Sequence, residues 1–137
     1  MMKVYVAGPM RGIKDFNFPA FEAATKQLTS LGHEVFSPAN RDVLLHGKSM
    51  FKTKTATVEE IEAKGFSLRD ALGADTEWIC ANADAVALLP GWRKSLGAKA
   101  EAALGKALGI RVDPIDKFIP RSKNDSKTKP TRRSSSS

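Results

Sequence analysis

Two acids in this 137-residue chain stand where acids are costly. Asp75 shares a helical face with Leu68, Leu72 and Ile79, at spacings of seven, three and four residues. Glu101 lies among Ala98, Ala102 and Gly105, on a face of small residues expected to press on a sheet. A carboxylate in such a position costs free energy unless it is paired or used. Either acid could instead sit half exposed at a helix edge. Two acids flanking the same strand end are harder to dismiss, and small residues around Glu101 leave room for a ligand.

Two further features suit an anion. Gly8, Pro9, Met10, Arg11 and Gly12 form a short loop directly after an apolar run. Glycines there let backbone N–H groups approach an anion, and Arg11 can add a bidentate charged contact, although a plain tight turn fits the same residues. Ser95 and Gly97 stand at the mouth of a helix. A hydroxyl and free amides at a helix N-terminus can hold a phosphate, and the ordinary alternative is an N-cap. Trp92, in a loop, could stack on a base, whereas Trp78 reads as core. His33 and His46 have no candidate ligand partners nearby, so neither a metal site nor catalysis is expected of them, and Asp84 reads as the cap of a helix-to-strand turn.

The elements that must position these groups alternate. Lys3–Ala7 is a β-branched and aromatic run stopped by Gly8-Pro9, hence a buried first strand. Residues 19–31 read as a helix, with Phe21, Ala24, Leu28 and Leu31 on one face and Gly32 as the stop. Residues 33–36 form a second strand closed by Ser37-Pro38. Residues 39–66 are less regular and read as a loop or flap, with a short helix near 58–64. Ser67 caps a helix over 68–82, residues 85–89 (AVALL) form the most apolar and central strand, and 97–108 is a helix closed by Gly109 before a last strand at 110–112. This order gives a doubly wound, Rossmann-like parallel α/β sheet with helices on both faces, which binds ligands outside the carboxyl ends of its strands.

Length and charge set the boundaries. The chain fits one domain, residues 1–116, followed by a tail. Residues 117–137 carry seven basic residues and one acid, so +6 of the formal +7 sits there. That segment is poor in apolar residues and reads as disordered. It is a solubilising or non-specific element, and any nucleic acid would be bound only through it. No apolar run approaches the ~18 residues of a membrane span. Gly8-Pro9 ends the first apolar run too early for a signal peptide, and Cys80 is the only cysteine. Together these favour the cytoplasm and no membrane partner.

In order along the chain, these residues resemble the nucleoside 2-deoxyribosyltransferase superfamily. The resemblance is closest to its 2'-deoxynucleoside 5'-phosphate N-hydrolases and to short bacterial and phage domains assigned to it. It covers about residues 3–112. Tyr5-Val6-Ala7-Gly8 resembles the family's strand end, whose tyrosine lies against the catalytic carboxylate, and Met10-Arg11-Gly12 resembles the loop that holds the nucleotide. Asp75-Thr76-Glu77-Trp78-Ile79 resembles the helix whose aspartate handles protons. Ser95-Leu96-Gly97 with Glu101 resembles the phosphate serine and catalytic glutamate, at the same separation. The loop before Ser95, carrying Trp92, Arg93 and Lys94, is longer than in the hydrolases, and the 39–66 insert has no match.

The resemblance implies hydrolysis of the N-glycosidic bond of a nucleoside or deoxynucleoside 5'-monophosphate. Glu101, Asp75 and Tyr5 would be the catalytic residues, and no metal or organic cofactor would be needed. A homodimer or larger homo-oligomer is implied as well, because a neighbouring subunit completes the site in related enzymes. Two other readings stand beside it: a transferase exchanging bases between deoxynucleosides, and a nucleotide-binding or sensing module that would need neither acid.

Overall fold

The computed structural model describes residues 1–47, 51 and 56–120. The strands are β1 (Lys3–Ala7), β2 (Glu34–Phe36), β3 (Ala85–Leu88) and β4 (Arg111–Pro114). The helices are α1 (Phe18–Ser30), α2 (Pro38–His46), α3 (Val58–Glu62), α4 (Leu68–Asn82) and α5 (Leu96–Ala107). All three strand pairings are parallel and the strand order is β2-β1-β3-β4. The chain is thus a doubly wound α/β fold.

Strand alternation divides the core into two layers. Val4 and Val6 of β1, with Ala85 and Ala87 of β3, pack with Phe21, Ala24 and Leu28 of α1. Tyr5 and Ala7, with Val86 and Leu88, pack on the other side against Ile79 of α4 and Ala98 and Ala102 of α5. Helix α5 lies very close to the sheet: a Cβ on Gly105 would stand 2.7 Å from Val112 Cγ2. The strand order reverses between β1 and β3, so the crevice beyond Ala7 and Leu88 is the topological switch point.

Three expectations are corrected. Residues 38–46 are helical rather than loop. Ser37 accepts a bond from the Asn40 amide as N-cap and Pro38 takes the first helical position, so the pair that closes β2 also opens α2. The folded domain runs past residue 116, because Phe118 is buried with the Arg111 guanidinium 4.0 Å above its ring. Asp84 does not cap a turn; its Oδ2 accepts from the Lys3 amide at 2.8 Å and anchors the start of β1. The disorder expected of the tail lies, from residue 121 on, outside the described residues, as do residues 48–50 and 52–55 of the insert.

Candidate active site

Strand β1 carries Tyr5 fully buried toward α4 and α5. Its ring stacks on Phe36 at 5.6 Å, and Phe36 stacks in turn on Trp78 at 4.8 Å. Trp78 is therefore half-buried, packed against the core. This aromatic column fixes the phenol, whose hydroxyl donates to Glu101 Oε2 at 2.7 Å. Ala98, Glu101, Ala102 and Gly105 are the buried residues of α5, the small-residue face read from the spacing. Asp75 is buried on α4 between Ala71 and Ile79.

Both acids line one cavity of about 90 Å³ with Gly8, Met10, Arg11, Ser95 and Gly97. A groove of about 650 Å³ shares Met10, Arg11 and Ser95 with that cavity, and Pro9 and Lys94 also line it. The cavity by itself is smaller than the ~300–1,000 Å³ usual for ligand sites. At the carboxyl ends of the strands a small chamber holding the acids thus lies beside a larger groove with basic residues.

The loop after β1 is only partly available to a ligand. A Cβ on Gly8 would stand 2.7 Å from Leu89 Cβ, so glycine is required by the close approach of the two strand ends. The Gly12 amide is occupied by the Ala56 carbonyl at 2.9 Å, and Gly12 lines neither space. The Pro9 carbonyl accepts from Asn17 Nδ2. Ser95 is the N-cap of α5: its Oγ accepts from the Ala98 amide at 3.1 Å. Trp92 is half-buried against the Tyr5 layer, with Arg93 over its ring, and does not line the cavity.

One acid is visible only in the tertiary structure. Asp42 of α2 is buried and lines the same cavity, below apolar walls from Phe51, Ile61 and Phe66. Its signal in the sequence is slight: an acid three residues after Ala39, in a segment whose cap also reads as a strand stop.

Burial dominates the electrostatics of all three carboxyls. Burial pushes Glu101 up to about 8, the Tyr5 hydrogen bond opposing and the Asp75 charge adding to it. Burial raises Asp75 to about 6 against the pull of the Arg41 charge and of Tyr5. Asp42 rises to about 7 through burial and the Asp75 charge, opposed by Arg41. The Tyr5 hydroxyl is raised well above 10, by burial first and then by the Glu101 and Asp75 charges, so it remains a donor. The site holds exchangeable protons near neutrality, one of them on the Glu101 carboxyl that a phenol fixes in place. That combination suits nucleophilic and acid–base chemistry on a group entering from the groove.

A family model described as a domain of unknown function (DUF4406) matches residues 2–113. The chain belongs to that family. The matched span takes in β1 to β3, β4 as far as residue 113, and Asp42, Asp75 and Glu101, so all three carboxyls lie inside the family domain. Comparison with curated proteins and with solved structures finds no match. Among the described residues no helix is long and apolar enough to cross a membrane, and no cluster of His, Cys, Asp and Glu could hold a metal ion.

Proposed function

We propose that this domain hydrolyses the N-glycosidic bond of a nucleoside or deoxynucleoside 5'-monophosphate, releasing free base and sugar phosphate. The observation that carries the reading is the 2.7 Å bond from the buried Tyr5 hydroxyl to Glu101, in a cavity shared with Asp75. The resemblance to the nucleoside 2-deoxyribosyltransferase superfamily supports it.

In this reading the working form carries the shared proton on Asp75, and the ionised Glu101 carboxylate attacks the anomeric carbon as the C–N bond breaks, the bonding electrons leaving with the base. Asp75 gives its proton to the departing base nitrogen. Water then adds at the anomeric carbon and its proton passes to Asp75. The ester to Glu101 breaks and the carboxylate is restored. Tyr5 orients Glu101 and, by donating to it, favours the ionised form. Arg11, with the α5 N-terminus at Ser95 and Gly97, would hold the 5'-phosphate at the boundary of cavity and groove. A cytoplasmic location and an assembly of two or more copies belong to the same proposal.

The test is a screen of ribo- and deoxynucleoside 5'-monophosphates, with free base followed by chromatography. The expected result is base release that depends on Glu101, with no new nucleoside when a second base is added. Formation of a new nucleoside would make the protein a transferase. Nucleotide binding without any base release would leave a binding module.

A further inference from the structure

The cavity contains two acceptors that the described residues leave unsatisfied. Asp42 on α2 is 4% exposed, Asp75 on α4 is 6% exposed, and both line the space in front of Glu101. The Oδ1 atom of each is sealed from water and has no hydrogen-bond partner among the described residues. Arg41 Nη1 stands 3.5 Å from Asp42 Oδ1, close enough for charge attraction but not a hydrogen bond. The other two buried polar side chains are occupied: Glu101 accepts from Tyr5, and Ser37 caps α2. Buried carboxyl oxygens left in this way are destabilising, and N–H donors brought by a ligand would offset that cost.

We infer that Asp42 is a specificity-determining residue of this site, and that Asp42 and Asp75 together receive the exocyclic amine of the leaving base. The inference rests on the reading of the site as one that holds a nucleobase. Acceptors on two different helices call for two N–H bonds pointing in two directions. An amino group supplies both. The single imino N–H of uracil or hypoxanthine supplies one, and the carbonyl in place of the amine turns lone pairs toward the carboxyl oxygens. Ile61, Phe66 and Leu72 line the same space and leave little polar surface for a bridging water. A site built to accept from a donor group discriminates strongly against the analogue that lacks it.

The test uses matched nucleotides that differ only at this position: adenosine against inosine 5'-monophosphate, and cytidine against uridine 5'-monophosphate. Each is titrated by calorimetry into the full chain carrying Glu101→Gln, so that bound nucleotide is not consumed. The amine-bearing member of at least one pair should bind about ten- to a hundredfold more tightly. Adding Asp42→Leu should abolish the preference by weakening only the amine-bearing member, whereas Asp42→Asn, which retains a carbonyl acceptor, should keep part of it. Equal affinity within both pairs overturns the inference while leaving the glycosidic reading intact. So does an unchanged preference in Asp42→Leu. Should Asp42→Leu fail to fold, the comparison with Asp42 in place decides alone. Failure of all four nucleotides to bind overturns the reading of the site, and this inference with it.

Discussion

Glu101→Gln should make the protein both inactive and more stable at neutral pH. Folding raises the Glu101 carboxyl from an ordinary 4.5 to about 8, chiefly through burial. A raised value means that the folded state keeps a proton the unfolded chain has already lost. The group's contribution to stability is therefore complete below about 4.5 and is lost as pH climbs toward about 8. At pH 7 the loss comes to about 3 kcal/mol, from roughly two and a half pH units at about 1.4 kcal/mol each. Glutamine has nearly the same shape and carries no titrating proton. Its carbonyl still accepts from the Tyr5 hydroxyl, less strongly, at a cost of about 1 kcal/mol. The variant should thus gain about 2 kcal/mol at pH 7, a rise in melting temperature of about 8 °C for a domain of this size. Near pH 4, where the titration gain vanishes, only the weaker hydrogen bond remains and the variant should lose about 1 kcal/mol. Urea unfolding of both proteins across this range, together with base release, reads the two effects. A stability difference that does not change with pH would refute the sealed environment of Glu101. Full turnover in the variant would refute its role as nucleophile.

Other outcomes follow from the same geometry. Base release should show a bell-shaped pH dependence with limbs near about 6 and about 8, because the working site shares one proton between Asp75 and Glu101; a flat profile from pH 5 to 9 would exclude this pair. Ser95→Ala should lose about 1 kcal/mol of stability with the α5 cap and about 1–3 kcal/mol of nucleotide affinity. Equal affinity of the unmutated chain for nucleoside and nucleotide would contradict a phosphate role. Gly105→Ala places a methyl group 2.7 Å from Val112 Cγ2 and 3.1 Å from Val86 Cγ2, and should destabilise by about 1–3 kcal/mol despite the better helix propensity. An unchanged melting temperature would mean that α5 does not sit this close to the sheet. Light scattering on the full chain should report a dimer or larger assembly; a fully active monomer would remove that part of the proposal.

Local periodicity was enough to determine much of this protein. The apolar run Lys3–Ala7, the capped helix Leu68–Asn82 and the AVALL strand were legible because each satisfies its backbone and buries one face by rules acting over a few residues. The same spacing that places Ala98, Ala102 and Gly105 against the sheet places Glu101 with them, so the buried acid could be read before any partner was known. Spacing does not name its partner, which only the resemblance set against that carboxylate. Tyr5 is 96 residues away, and only the stacking of β1 beneath α5 brings the phenol to Glu101. Packing likewise decided that the Gly12 amide serves Ala56 rather than a ligand, and that Phe118 belongs to the domain. Helix α2 was missed because Ser37-Pro38 is a local signal with two meanings, the end of one element and the start of the next. Asp42 was lost with it. Its burial depends on α2 folding over the mouth of the sheet, a contact between elements that no short spacing encodes.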